Sequence, residues 1–204
     1  KPLPDGLQQQ FPDRFVFTEE MGWVPEGWRV QSLEAFIELA YGKSLPAKIR
    51  VEGLVPVYGS GGVSGTHNEA LVQGPGIVVG RKGTVGSLYW IEGPFFPIDT
   101  VFYVVPKTDE IPLYWIYQAL QQIDIQSMGA DSAVPGVNRN TLYASKVVCP
   151  DSCILNSYWK VLCVLVERES AIEGENLSLS KLRDTLLPKL LSGELQVPDA
   201  EKLV

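Results

Sequence analysis

Only one histidine, His67, stands in the 204-residue sequence, which excludes metal centres built from several imidazoles. Set beside a Gly/Ser-rich loop, it reads as a surface side chain. Cysteine is equally scarce: Cys149, Cys153 and Cys163 form an odd set with no histidine pair at zinc-ligand spacing. They read as reduced, buried structural thiols, with no metal and no disulfide. Long apolar runs are missing, and nothing approaches the ~20 residues of a membrane span. The start Lys1-Pro2-Leu3-Pro4-Asp5 has no signal-peptide core, so the expectation is a soluble, cytoplasmic protein. No glycine-rich phosphate loop ending in Gly-Lys-Ser/Thr is present. Nor is there a dinucleotide fingerprint, since Pro75 stiffens the Gly74–Gly76 turn and the third glycine is out of place. Asp109-Glu110 has no companion motif for a nuclease. The sequence therefore predicts no catalytic residues and no cofactor.

Excess positive charge is also absent. A net charge of -7 argues against a protein that coats nucleic acid by neutralising many phosphates. The charge is uneven, however. Residues 41–90 hold Lys43, Lys48, Arg50, Arg81 and Lys82 against Glu52 and Glu69, whereas the first forty residues hold three bases and seven acids. A locally basic face on an acidic body suits a protein that holds DNA with part of its surface. Taken alone, such asymmetry is more often idle.

What the sequence does have is punctuation followed by its loss. Residues 1–27 are rich in proline, glycine and acids without apolar periodicity, and read as an extended arm whose Phe11, Phe15, Phe17 and Trp23 pin it to the body. Short β-like runs follow: Leu54–Tyr58, Gly76–Gly80, Ser87–Ile91, Val101–Val105 and Lys146–Cys149. After Pro112, the residues Leu113, Ile116, Tyr117, Leu120 and Ile123 fall on one helical face. This predicts an α+β domain over 1–152, with a mixed, mainly antiparallel sheet and packed helices.

Beyond Asp151 and Ser152, good N-cap types, the sequence predicts one long helix over 153–193. Tyr158, Leu165, Ile172, Leu179 and Leu186 recur every seven residues, the period of a coiled-coil seam. The companion position is poorer, because Leu162 is followed by Glu169, Asn176 and Arg183. Such a helix outreaches a small domain and is expected to protrude and pair, with a second copy or with another chain. Gly174 weakens its middle, Pro188 kinks its last turns and Gly193 closes it. A short extended tail completes the chain over 194–204.

At this point a resemblance enters. The run Leu182-Arg183-Asp184-Thr185-Leu186-Leu187-Pro188-Lys189-Leu190-Leu191-Ser192-Gly193-Glu194-Leu195 is similar to the conserved helix ending of type I restriction-modification specificity subunits. Trp23-Val24-Pro25-Glu26-Gly27-Trp28 resembles the opening of their target-recognition domains. Gly42-Lys43, Tyr58-Gly59-Ser60-Gly61-Gly62, Arg81-Lys82-Gly83-Thr84-Val85-Gly86 and Val134-Pro135-Gly136-Val137-Asn138 match as well. Such subunits carry two recognition domains and two conserved helices, whereas this chain has one of each; Leu3-Pro4-Asp5-Gly6-Leu7 and Phe11-Pro12-Asp13-Arg14-Phe15 resemble the stretch that joins their first half to their second, so the chain resembles their C-terminal half, as an engineered fragment or a naturally split subunit. The resemblance implies a non-catalytic DNA-sequence reader for a methyltransferase (modification) subunit and, through it, a restriction subunit. It also implies possible antiparallel pairing of like helices in a homodimer. No Asn-Pro-Pro-aromatic run, as in adenine methyltransferases, is present.

With that resemblance, the candidate DNA-binding residues are Lys43, Tyr58, Ser60, Gly61, Arg81, Lys82, Thr84, Asn138 and Arg139. Arg81-Lys82-Gly83-Thr84 places two cations and a hydroxyl on a tight turn, suited to guanine edges or phosphates; a glycine hairpin with solvated charges is the plain alternative. Asn138 and Arg139 suit adenine and guanine edges, or a helix cap and a surface charge. The rival from another class is a protein-protein adaptor that acts through its seam helix and never meets DNA.

Overall fold

The computed structural model describes residues 5–129 and 136–195. Val134 and Pro135 of the matched run, the first four residues of the arm and the tail beyond Leu195 lie outside them. The chain divides into two compact units, Lys1–Leu155 and Asn156–Val204.

The first unit opens with a short helix, α1 (Asp5–Gln8), and continues through β1 (Phe15–Thr18), β2 (Gly22–Pro25), β3 (Arg29–Ser32), β4 (Ile37–Tyr41), β5 (Val55–Gly59) and β6 (Gly62–His67). Then come β7 (Gly76–Gly80), β8 (Leu88–Ile91), β9 (Phe96–Pro97), β10 (Val101–Pro106), α2 (Leu113–Gln121), α3 (Arg139–Ala144) and β11 (Lys146–Cys149). A four-stranded antiparallel sheet in the order β4-β10-β7-β8 is its centre. Strand β7 is Gly-Ile-Val-Val-Gly, apolar throughout, because both of its faces are covered. Ile77 and Val79 join the cluster that holds Ile116 and Leu120 of α2, while Val78 joins Ile91, Phe95 and Val101. A second sheet, β6-β5-β9, contains the parallel pair β5 with β9. The expected mixed, mainly antiparallel α+β architecture is the observed one, and the predicted face of α2 packs on the core.

Four expectations fail in whole or in part. The arm is not merely extended, since β1 and β2 form an antiparallel hairpin. Phe11 meets Trp28, but Phe15, Phe17 and Trp23 do not pin the arm down: Phe17 is 61% and Trp23 70% exposed. The register pairs Phe15 with Pro25 and Phe17 with Trp23, so these side chains share one face and burial of Val24 turns them outward. His67 is buried rather than superficial. Its Nδ1 accepts the Val51 N–H at 3.1 Å and its ring meets Phe96 edge-on, since the last residue of β6 points inward. Of the thiols, Cys149 is buried, but Cys153 is exposed and Cys163 half-exposed, because the helix that carries them presents them outward.

All three thiols are free, and burial pushes the Cys149 thiol above its ordinary range, against a smaller lowering by Arg29. A thiol reagent is therefore expected to modify Cys153 and Cys163 in the native chain and Cys149 only after denaturation. Immediate reaction of all three would contradict that burial.

Helix α4 (Ser152–Leu191) supplies the second unit. Asp151 caps it, its Oδ1 accepting the N–H groups of Cys153 and Ile154. At 1.5 Å per residue the helix is about 60 Å long. It stays one element through Gly174 and Pro188 and stops where Gly193 turns left-handed. No described side chain from Asn156 onward is buried. The seven-residue stripe is open too: Tyr158 and Leu186 are half-buried, while Leu165, Ile172 and Leu179 are exposed. No helix among the described residues is long and apolar enough to cross a membrane.

Candidate nucleic-acid interface

Strands β5 and β6 are joined by the two-residue turn Ser60-Gly61, with Gly59 paired to Gly62. Gly62 has a φ of 98°, which L side chains rarely adopt, so the close turn depends on it. A second turn, residues 81–87, joins β7 to β8. The two turns are stitched together. Ser87 Oγ donates to the Ser60 carbonyl at 2.6 Å, and the Tyr89 hydroxyl donates to the same oxygen at 3.1 Å.

The segment from β9 into β10 gathers the rest. The Thr100 carbonyl accepts the N–H groups of both Arg81 and Lys82, at 3.0 and 3.1 Å, and its Oγ1 accepts the Ser60 N–H. The Pro97 carbonyl accepts the Lys43 N–H, and the Val101 carbonyl accepts the Gly42 N–H. On the far side the Arg81 carbonyl accepts the Val137 N–H, and Lys82 bridges to Gly136. Five stretches distant in sequence thus converge at one end of the sheets, and all nine predicted DNA-binding residues lie in them.

Their side chains divide. Lys43, Lys82, Thr84, Asn138 and the Gly61 backbone are exposed. Ser60 is buried, which takes its hydroxyl from the outer surface; it holds the turn instead. Tyr58 packs on Tyr89 and Phe95. Burial, and secondarily the neighbouring Tyr89, push its phenol upward, so it stays neutral and structural. Asn138 caps α3, its Oδ1 accepting the Asn140 N–H at 2.8 Å, the plainer of its two readings. Arg50 is spent inside, donating to the carbonyls of Leu45 and Ser64.

The two remaining arginines share a ring. Arg81 lies over Tyr41 at 5.2 Å and Phe102 at 5.7 Å, and Arg139 over Tyr41 at 5.3 Å and Tyr143 at 5.8 Å. Arg81 donates to the Asp99 carbonyl at 2.7 Å. Among the described residues no carboxylate pairs with either guanidinium, and both Nε atoms are buried without an acceptor. Two half-buried cations with no ion-pairing carboxylate among the described residues repel each other and favour an anion nearby. Tyr41, Asp99, Thr100 and Tyr143, which position this charge, escaped the sequence reading. The pairing of Tyr41 with Phe102 across β4 and β10 brings Tyr41 beside Arg81, and tertiary packing brings the others. No group of acids, histidines or cysteines among the described residues could hold a metal.

Known proteins resemble the chain in the same terms. A family model, the type I restriction modification DNA specificity domain, matches residues 25–172. The specificity subunit of type I restriction enzyme HindI from Haemophilus influenzae is 25% identical over 201 residues, aligning 84% of this chain and 42% of that protein. The S subunit of the type I restriction-modification system from M. genitalium superposes with a TM-score of 0.68 at 26% identity, over 85% of this chain and 46% of that one. The HsdS subunit from Thermoanaerobacter tengcongensis, 16% identical, shares the fold with a TM-score of 0.51, over 93% and 49% of the two chains. The chain spans about half the length of these relatives. With the family model covering most of the sequence and the fold agreeing, the chain belongs to the type I restriction-modification DNA specificity domain family.

Proposed function

We propose that the chain reads double-stranded DNA sequence-specifically through the end of the sheets where the five segments meet. In this reading it works in the cytoplasm, without catalysis of its own, as half of a specificity subunit that directs methylation and restriction by modification and restriction subunits. Helix α4 pairs through Tyr158, Leu165, Ile172, Leu179 and Leu186, either with the helix of a second half or with a second copy of this chain. The observation that carries the DNA reading is the cluster of Lys43, Arg81, Lys82 and Arg139 on a rigid hub, with the two arginines free of carboxylate partners among the described residues. Local positive charge on an acidic chain favours one docked duplex over indiscriminate coating.

Duplex binding measured by fluorescence anisotropy across a salt series tests it. The wild-type chain is expected to bind a mixed-sequence duplex at low salt and to lose affinity linearly in log[salt]. Lys82→Ala, at an exposed position, is expected to weaken binding alike on all sequences and to reduce that slope by about one. A protein-protein adaptor would show no duplex binding even at the lowest salt.

A further inference from the structure

We infer that Tyr41 is a positioning residue for DNA binding, holding Arg81 and Arg139 as a pre-set pair of cations for a phosphodiester of the duplex. The inference rests on the DNA reading above and adds a residue and a ligand group to it. Tyr41 closes β4; the residue is 51% exposed, and its ring packs on Phe102 at 5.1 Å between centroids. The two guanidinium carbons lie within 5.3 Å of that one ring centre. They are thus on the order of 10 Å apart at most, about a Debye length at roughly 0.1 M salt. Each is flanked by a second aromatic, Phe102 for Arg81 and Tyr143 for Arg139. A planar guanidinium stacked on a ring loses rotamer freedom before any ligand arrives, and less is lost when an oxyanion is bound.

Among the described residues no carboxylate ion-pairs with either arginine, so the ring stacks hold both charges without neutralising them. The two Nε–H groups are buried, which leaves the terminal N–H groups as the donors open to a ligand. Stacking on Tyr41 fixes each guanidinium plane, and their remaining N–H donors meet an incoming anion in a set geometry. A phosphodiester fits better than a base edge, because Arg81 already donates one N–H to the Asp99 carbonyl and does not keep its whole fork for a guanine. Sequence-independent contacts of this kind set register on the duplex while other side chains read bases.

The test uses the full chain and a mixed-sequence duplex at low salt, since phosphate contacts need no target sequence. Tyr41→Leu is expected to weaken binding about tenfold with the salt slope unchanged, because every cation is still present, and Tyr41→Phe is expected to retain wild-type affinity. Arg139→Ala instead lowers the slope by about one. A second readout needs no DNA. In wild type and Tyr41→Phe the Arg81 and Arg139 Nε–H resonances should be displaced by ring currents and protected from exchange, and in Tyr41→Leu both should shift by the lost Tyr41 contribution and exchange faster, with the contributions of Phe102 and Tyr143 left in place. Unaltered affinity in Tyr41→Leu, or undisplaced Nε–H resonances in the wild type, overturns the inference. Displaced resonances together with no duplex binding by the wild type would leave the aromatic cage standing and remove the DNA reading beneath it.

Discussion

Gly42→Ala is expected to lower the melting temperature by roughly 6 to 12 °C and to abolish duplex binding, whereas Gly93→Ala should leave both unchanged. A Cβ at position 42 would sit 2.1 Å from the Ile98 carbonyl oxygen and 2.6 Å from the Pro97 oxygen. Both are backbone atoms, so no side chain can swing aside. Strand β4 would have to part from residues 97–101, at about 3 kcal/mol by the usual cost of overpacking. For a chain of this size each kcal/mol is about 2–4 °C of melting temperature. Binding suffers more than stability does, because residues 97–101 also hold Arg81, Lys82 and Lys43 through their backbone carbonyls and Ser60 through the Thr100 hydroxyl. At Gly93 nothing lies within 4 Å of an added Cβ, and a surface change of that kind stays within about 0.5 kcal/mol. Thermal unfolding by circular dichroism, with duplex anisotropy on the same samples, checks both variants. A Gly42→Ala chain that melts and binds like wild type would refute the close approach.

The same segment shows why some of the fold was legible and some was not. Strands β7 and β11 coincide with their predicted spans because they are apolar runs bounded by glycine, proline and polar residues. Strand β6, Gly-Val-Ser-Gly-Thr-His, was not predicted as a strand. It has two glycines and little β-propensity, and its place comes from the two-residue turn that pairs it with β5. Strand β4 alternates, with Ile37 and Leu39 buried and Glu38 exposed, but the turn Leu33–Ala35 just before it obscured its start. Hairpin β1–β2 was hidden by acids and prolines that also describe a linker. In the candidate interface, the exposed cations could be picked out by residue type. The groups that orient them could not. Tyr41 and Arg139 are joined only by tertiary packing, and Thr100 holds Arg81 and Lys82 through a backbone carbonyl that any residue would supply.

The seam of α4 gives the other large effect. Combining Ile172→Glu with Leu179→Glu is expected to weaken helix pairing at least a thousandfold and to leave a monomeric chain with the unit Lys1–Leu155 intact. Both side chains are exposed and one seven-residue step apart. Burying each against a partner helix contributes about 1.5–3 kcal/mol, and charges placed in the seam add repulsion and desolvation. Glutamate is a good helix former, so the change acts on pairing before it acts on helix propensity. A lone helix of this kind owes little stability to propensity, which gives its open stripe a reason to be covered. An antiparallel pair of like chains would cross near the helix midpoint, between Ala171 and Ile172 of Ser152–Leu191, where Gly174 leaves open space for close approach. Light-scattering mass over a concentration series is the measurement. A wild-type chain that remains monomeric at tens of micromolar would rule out pairing of like chains and leave the helix of a second half as the partner. A double variant that still associates like the wild type would remove the seam itself.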